Sequence, residues 1–333
     1  MPVVQFGRTG MRVSRVCLGT MTFGGQADEK TSAAIMDVAE EHGIFFFDLA
    51  DMYPIPNDAT TVGKTEEFVG RWMRGKRDRF VLASKFHAPM GAGPNDRGNS
   101  RVHMMRAVDA SLRRLQTDYL DLYQIHRWDD TTPIEETLQG LDDLRRAGKI
   151  RYAGASNLAA WQLMSSLRAS ELKNIVRFES VQPRYNVLFR SIEAEMVPAC
   201  VANGLAIMAY NPLAAGMLTG KYRAGQPPIA GTRFTFGGNS GPLYGKRYWH
   251  EETLALVERL KADVASRGKS LTHVALRWVL DQPGITVAIV GASKPEQLQD
   301  SLKGVHVTLD DADRAACDGA WYALPRRTLA DES

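Results

Sequence analysis

Four polar residues of unlike chemistry stand at or just beyond the ends of apolar runs. Asp48 ends the run Phe45-Phe46-Phe47, and a buried carboxylate of this kind needs a cation as its partner. Lys85, at the end of another apolar run, can supply that cation and can also lower the pKa of a nearby phenol from its ordinary value of ~10. Tyr53 would then act as a general acid or base, and His126 could orient a carbonyl oxygen beside it.

Each residue also has a purely structural interpretation. A single Lys at a strand end is commonly solvated, a single His is commonly a core residue, Asp48 could cap a turn and Tyr53 could pack in its loop. Another catalytic interpretation makes Lys85 the Schiff-base lysine of an aldolase-like barrel. The catalytic interpretations require that all four side chains converge, which depends on the fold.

Short apolar runs alternate with stretches of helical period, and this alternation occurs eight times after residue 16. It predicts an α/β protein with one (β/α)8 TIM barrel, in which strand C-terminal ends gather at a single catalytic face. The predicted strands are Val16–Gly19, Ile44–Asp48, Phe80–Lys85, Tyr119–His126, Ile150–Ser156, Phe178–Gln182, Leu205–Tyr210 and Thr286–Gly291. The predicted helices are Glu29–Glu41, Lys64–Met73, Arg101–Leu115, Pro133–Ala147, Leu158–Leu167, Ser191–Asn203 and Glu251–Ser266.

We expect a single barrel domain over residues 1–333 with two kinds of addition. Residues 1–16 show two alternating segments around Gly7 and Gly10, which predicts a β-hairpin at one end of the fold. Residues 54–62 and 223–249 lack periodicity, and long irregular segments of this kind are commonly lids or binding loops. Both should lie near the active site, at the catalytic face.

Composition narrows the function classes. With 41 Lys and Arg against 38 Asp and Glu, the charge excess is too small to indicate a nucleic-acid or membrane-surface binder. The absence of a signal peptide and of a long apolar run favours a cytoplasmic protein. The three cysteines are far apart, so they predict neither a disulfide framework nor a metal site.

The residues around the four polar side chains resemble those of the aldo-keto reductase family. The sequences FFFDLADMY, LASKF and YQIHRWD match the settings of that family's catalytic tetrad, and four further motifs follow in the family's order. Those motifs are IRYAGASN, VQPRYN, YNPLAAGMLTGKY and AIVGASKPEQL. The LADMYP and PLAAGMLTGKY segments are similar to the bacterial and potassium-channel-β-subunit-like branch.

This resemblance implies NADPH-dependent reduction of an aldehyde or ketone, with NADH as the less favoured cofactor and no metal. The implied catalytic residues are Asp48, Tyr53, Lys85 and His126. The nicotinamide carboxamide would be bound by Ser156, Asn157 and Gln182, and Tyr210 would stack on the ring. The remaining cofactor positions are Asn211, Leu213, Gly216, Leu218 and Lys221, then Gly291, Ser293, Lys294, Gln297 and Asp300.

Two departures concern the cofactor phosphate. Many relatives have Arg where Ser293 stands and Asn where Ser301 stands, which predicts a weaker clamp on the 2′-phosphate. Lys294 supplies a point charge without the bidentate fork of Arg. Asn211 replaces a Ser common in this branch, a small change with no predicted loss. The changes at positions 293 and 301 predict a weaker preference for NADPH over NADH.

The substrate is expected to be a small aldehyde or ketone in an apolar pocket lined by Met21, Met52, Phe86 and Trp128, although large aromatics near strand ends can equally belong to the core. A homo-oligomer is compatible with the resemblance. The alternative function is a slow-turnover, nucleotide-binding redox-sensing or regulatory subunit.

Overall fold

The computed structural model describes residues 1–326, in which eight parallel strands form a closed barrel. Each strand neighbours the next in chain order, and the last closes against the first. A separate antiparallel pair, β1 (Val3–Gln5) and β2 (Arg12–Ser14), precedes them. The barrel strands are β3 (Val16–Gly19), β4 (Phe46–Asp48), β5 (Val81–Phe86), β6 (Leu120–Ile125), β7 (Ile150–Ser156), β8 (Phe178–Gln182), β9 (Ala206–Tyr210) and β10 (Ile285–Gly291). This confirms the predicted (β/α)8 fold.

Helices surround the barrel. Asp28 and Ser100 cap the first and third of them, where their side chains accept hydrogen bonds from the amides of Thr31 and His103. The helices are α1 (Glu29–Glu41), α2 (Lys64–Trp72), α3 (Arg101–Leu115), α4 (Ile134–Arg146), α5 (Ala160–Lys173), α6 (Met196–Asn203), α7 (Ser240–Tyr248), α8 (Glu251–Ser266), α9 (Leu271–Asp281), α10 (Pro295–Lys303) and α11 (Asp311–Ala323). None of the helices within residues 1–326 is both long and apolar enough to cross a bilayer.

The two-residue period of the strands decides which side chains enter the barrel. On β4, Phe46 packs in the inner core and Phe47 packs outward against Trp72 and Phe80. The next residue, Asp48, therefore points inward again at the C-terminal end of the strand. The same alternation on β5 turns Lys85 inward.

The N-terminal hairpin closes the opposite end of the barrel. Phe6 lies edge-on to Phe46 with their ring centroids 5.8 Å apart, and the amide of Arg8 donates to the carbonyl of Gly204 at 2.7 Å. The Arg15 guanidinium donates to the carbonyls of Ile285 and Thr286 at the start of β10. The hairpin thus seals the end of the barrel away from the polar strand ends.

Three predicted segments differ from the structure by more than two residues, whereas the bounds of the other predicted segments agree to within two residues. The segment predicted as Leu158–Leu167 is the longer α5, which ends at Lys173. The helix predicted to start at Ser191 starts at Met196, after a separate single turn of 3₁₀-helix, and Pro198 falls in its first turn, where the missing amide costs little. The irregular 223–249 segment contains α7, because tertiary contacts order a stretch that has weak helical periodicity.

Candidate active site

Asp48 and Lys85 form a buried ion pair at the C-terminal ends of two neighbouring strands. The Lys85 Nζ donates to Asp48 Oδ2 at 2.7 Å, and their side chains are 0% and 4% exposed respectively. The ammonium also donates to the carbonyl of Leu49, and Gln182 Nε2 donates to the other Asp48 oxygen at 2.8 Å. Burial alone would lower the pKa of Lys85, but Asp48 and Tyr53 together raise it above its ordinary value. Lys85 is therefore a permanent cation at neutral pH.

Tyr53 lies directly beside this cation. The Lys85 Nζ is 5.1 Å from the centroid of the Tyr53 ring, and only 9% of the Tyr53 surface is exposed. Burial raises the pKa of Tyr53 to about 12, while Lys85 lowers it by a smaller amount and Asp48 adds to the increase. The prediction of a lowered phenol pKa is therefore wrong, because loss of water disfavours the phenolate more than a partly neutralised ammonium favours it.

His126 completes the group that the sequence predicted. Its ring is perpendicular to Tyr53, with centroids 5.9 Å apart, and its amide donates to the carbonyl of Phe86. Burial, followed by the positive charge of Lys85, holds the pKa of His126 well below its usual range. His126 is consequently neutral at pH 7 and can donate a hydrogen bond without adding a second cation beside Lys85.

A hydrogen-bonded chain links the ends of β6, β7, β8 and β9. Asn157 Nδ2 donates to the His126 carbonyl and to Ser156 Oγ, both at 2.9 Å, and Asn157 Oδ1 accepts from the Tyr210 hydroxyl at 2.9 Å. Ser156 Oγ in turn donates to the carbonyl of Gln182 at 2.8 Å. Asn157 occupies the left-handed region with φ of 56°. The aromatic ring of Tyr210 is thereby fixed above the inner core.

The turn after β9 has an unusual backbone. Ala214, Ala215 and Gly216 all have positive φ values, of 49°, 59° and 90°. The amide of Gly216, one of the expected cofactor positions, donates to the carbonyl of Leu213 at 2.9 Å. The glycine instead supplies the conformation and leaves space beside Lys221, whose Nζ would lie 3.6 Å from a Cβ at this position.

Leu218 does not lie at the surface of this turn. Its side chain is fully buried in the core, and its amide donates to the carbonyl of Leu213. The predicted contact between Leu218 and a cofactor is therefore wrong for its side chain and its amide. Leu218 anchors the turn from below, while the half-buried Leu213 remains at its surface.

Two cations flank the turn and face the same space. Arg233 donates to Asn211 Oδ1 at 3.1 Å, and a Cβ on Gly291 would lie 3.7 Å from its other terminal nitrogen. Partial burial and the proximity of Arg233 lower the pKa of Lys221. Within residues 1–326 neither Lys221 nor Arg233 has a carboxylate partner. The region between the ends of β9 and β10 is therefore suited to bind an anion.

The predicted phosphate and adenine residues lie where β10 meets α10. The Ser293 amide and hydroxyl both donate to Gln297 Oε1, at 3.0 and 3.1 Å, and Lys294 is the N-cap residue of α10. Asp300 pairs with His273 and Lys303. Although burial would raise the pKa of Asp300, these two partners hold it below its usual value. Asp300 is thus already engaged with α9 and α10.

The predicted substrate residues do not form one group. Phe86 is fully buried on the outer side of β5, where it stacks on Tyr123 at 4.8 Å and packs against His103. Its assignment to the pocket is wrong, because the residue after an inward Lys85 must point outward. Met21 and Met52 are half-buried at the barrel mouth.

Trp128 belongs to the rim of the mouth. Its Nε1 donates to Asp130 at 2.8 Å, and its ring lies edge-on to the exposed Trp161 of α5 at 6.1 Å. Trp128 therefore shares its environment with α5, and the structure gives it no ring contact with Tyr53 or His126. Its assignment to the pocket stays a prediction.

Asp51, the second acid of the FFFDLADMY sequence, has a different environment from Asp48. Asp51 is fully buried, and neither of its carboxylate oxygens has a hydrogen-bond partner among the described residues. Burial, reinforced by the nearby Glu66 charge, raises the pKa of Asp51 well above its ordinary value. Glu66 itself is bound by Arg114 at 2.7 Å and by Ser84. Burial therefore favours the uncharged form of Asp51, whereas Asp48 is paired with the Lys85 cation.

Sequence reasoning missed three residues of the site. Gln124 lies two residues before His126 on the inward face of β6, and its Nε2 is 3.4 Å from Asp48 Oδ1. The strand period could have identified it. Arg233 and Tyr244 come from the irregular 223–249 segment, and no periodic signal places their side chains.

The described residues contain no group of three His, Cys, Asp or Glu side chains arranged to hold a metal ion. The polar groups of the mouth are instead an ion pair, a phenol, an imidazole and amides. Such a set can bind a carbonyl oxygen and give it a proton. It requires a separate source of electrons for any reduction.

Comparison with known proteins identifies the family. A family model described as the aldo/keto reductase family matches residues 15–322. The chain is 38% identical to the "Uncharacterized oxidoreductase YrpG" of Bacillus subtilis over 318 residues, covering 93% of each chain. It is 35% identical to the "Aldo-keto reductase YhdN" of the same organism, covering 94% of this chain and 92% of the relative. It is also 34% identical to a "Probable voltage-gated potassium channel subunit beta" of Oryza sativa subsp. japonica, covering 91% and 90%. The barrel, its polar strand ends and these similarities together show that the chain belongs to the aldo/keto reductase family.

Proposed function

We propose that this protein reduces aldehydes and ketones to alcohols with NADPH, and that Tyr53 is the general acid. The observation that carries this proposal is the buried Lys85 ammonium, paired with Asp48 and placed 5.1 Å from the Tyr53 ring centroid. Membership of the aldo/keto reductase family supports NAD(P)-dependent carbonyl reduction in general. The roles of individual residues follow from their charges and contacts.

Tyr53 gives its proton to the carbonyl oxygen. With a pKa of about 12, the phenol remains protonated at neutral pH and is therefore ready to donate. The carbonyl π bond breaks as hydride reaches carbon, and the oxygen becomes more basic than a phenolate, so the proton moves from Tyr53 to it. Lys85 then stabilises the phenolate that remains, and Asp48 keeps Lys85 charged.

His126 orients the carbonyl oxygen. Its neutral ring lies perpendicular to Tyr53, so a hydrogen bond from the imidazole and the proton from the phenol can meet at one oxygen. Asn157 fixes the position of His126 through the His126 carbonyl. A carbonyl compound would then be held with its oxygen between the two rings.

The residues beyond Tyr210 fit a nicotinamide dinucleotide. Lys221 and Arg233, which have no carboxylate partner among residues 1–326, suit its phosphates, and Ser293 with Lys294 suits the 2′-phosphate of NADPH. Tyr210 would lie against the nicotinamide, with Ser156, Asn157 and Gln182 near the carboxamide, and Gln297 near the adenine. When bound, the reduced nicotinamide supplies the hydride.

The test compares Tyr53→Phe with the wild type in NADPH-dependent reduction of a panel of aromatic aldehydes. Loss of the proton donor should lower kcat by about 10²- to 10⁴-fold while NADPH binding, followed by fluorescence, is retained. Tyr322→Phe on the exposed face of α11 is the matched control. Unchanged turnover in Tyr53→Phe would refute the acid role.

A second function is favoured by one comparison. The similarity to a probable potassium-channel β subunit supports a nucleotide-binding regulatory protein that turns over slowly. Measuring steady-state turnover against the release rate of NADP⁺ distinguishes the two functions. If NADP⁺ were released much faster than every aldehyde and ketone is turned over, the catalytic step itself would be slow. That result would favour the regulatory function.

A further inference from the structure

Helix α7 directs one face toward the barrel mouth. Tyr244 and Tyr248 are four residues apart and therefore lie on the same side of this helix. The Tyr248 hydroxyl accepts hydrogen bonds from Asn186 Nδ2 at 2.9 Å and Asn211 Nδ2 at 3.2 Å. Since Asn211 follows β9, this face of α7 is turned toward the C-terminal strand ends.

Tyr244 lies one turn earlier on that face and reaches the neighbourhood of Tyr53. Its hydroxyl contacts Met21 Sδ at 3.8 Å, and the Met21 carbonyl accepts a hydrogen bond from the amide of Ile55, two residues after Tyr53. The two phenols do not hydrogen-bond to each other in the described part of the chain. They are nevertheless close enough that Tyr244 contributes to the raised pKa of Tyr53.

The Tyr244 hydroxyl is a donor with a poor partner. Its single hydrogen bond within residues 1–326 is to a thioether, which is a weak acceptor. The ring itself is held in place, because the Arg233 guanidinium lies 5.8 Å from its centroid and Phe236 packs against it edge-on. An oxygen atom of a substrate would be a better acceptor than the Met21 sulfur.

We propose that Tyr244 is a specificity-determining residue that donates a hydrogen bond to a second substrate oxygen, on the carbon next to the reacting carbonyl. The substrates preferred by this site are then α-dicarbonyl and α-hydroxycarbonyl compounds. Tyr53 binds the reacting oxygen, and Tyr244, across the same mouth, binds its neighbour. This inference rests on the proposed carbonyl reductase function and adds the substrate class to it.

The experiment measures kcat/KM with NADPH for 2,3-pentanedione and for 2-pentanone, which lacks the second oxygen. Tyr244→Phe should lower kcat/KM for the dione by about 2- to 12-fold and leave the value for 2-pentanone unchanged. Comparing each variant with the wild type on the same substrate cancels the greater intrinsic reactivity of the dione. Tyr322→Phe should leave both values unchanged.

An equal loss for both ketones in Tyr244→Phe, or no change for either, would overturn the inference. A wild-type protein that reduces neither these ketones nor aromatic aldehydes would overturn the proposed function as well.

Discussion

Breaking the Asp48–Lys85 pair should destabilise the protein, and removing both charges should restore much of the loss. At 2.7 Å, the attraction between the two charges is about 6 kcal/mol for an effective dielectric constant of about 20. Because the surviving charge stays buried, we expect Asp48→Asn and Lys85→Met each to lower the free energy of unfolding by about 3–5 kcal/mol.

The double variant leaves no buried charge at this position. It keeps an Asn oxygen that can accept from Gln182, and its main remaining cost is the Leu49 carbonyl, which loses the Lys85 donor. One such loss costs about 1–3 kcal/mol. The losses of unfolding free energy in the two single variants should therefore add up to at least about 3 kcal/mol more than the loss in the double variant.

Urea unfolding, followed by circular dichroism, measures the free energy of unfolding of the wild type, the two single variants and the double variant. Losses that add to within about 0.5 kcal/mol would show that the two residues are not coupled and would refute this reasoning. Activity provides a second, independent readout. Lys85→Met and the double variant should both be nearly inactive, because neither has an ammonium beside Tyr53, so recovery of stability should occur without recovery of turnover.

Two further predictions concern protons and phosphates. Tyr53 has a pKa of about 12 and donates a proton. In single-turnover experiments, the rate of hydride transfer to aldehydes should therefore stay constant through neutral pH and fall only as the pH rises toward 12. A fall centred near pH 7 would contradict the assignment of Tyr53 as the acid. Arg233→Ala should raise the Kd for NADPH by about 10- to 100-fold, as expected for loss of a charge-assisted hydrogen bond. The exposed Arg168 of α5 is its control, and equal Kd values for Arg233→Ala and Arg168→Ala would exclude the phosphate role of Arg233.

Much of the barrel could be predicted because its signals are local. Buried strands alternate with amphipathic helices, and a two-residue period tells which strand residues face inward. Applied strictly, that period also identifies Gln124 as inward and excludes Phe86 from the pocket. The ion pair between Asp48 and Lys85 followed from the same reasoning, because a buried carboxylate at a strand end requires a cation.

The remaining features depend on tertiary contacts. The 223–249 segment is ordered by contacts with distant residues, among them the hydrogen bond from Gln26 to Gly231 and those that Tyr248 accepts. No pattern within the segment indicates that Arg233 and Tyr244 lie side by side near the barrel mouth. The direction of the Tyr53 pKa shift likewise depends on the extent of burial, which the types of its neighbours do not reveal.

The anchoring of α7 through Tyr248 separates substrate choice from the chemical step. Tyr248 attaches α7 to the barrel through its hydrogen bonds with Asn186 and Asn211. Other residues of the 223–249 segment can therefore change without moving Tyr53, the proton donor. Asp48 and Lys85 lie on barrel strands, and Tyr53 lies in the loop that directly follows β4. Related enzymes could therefore acquire new substrates through changes in the 223–249 segment alone, while Asp48, Lys85 and Tyr53 continue to perform the same reaction.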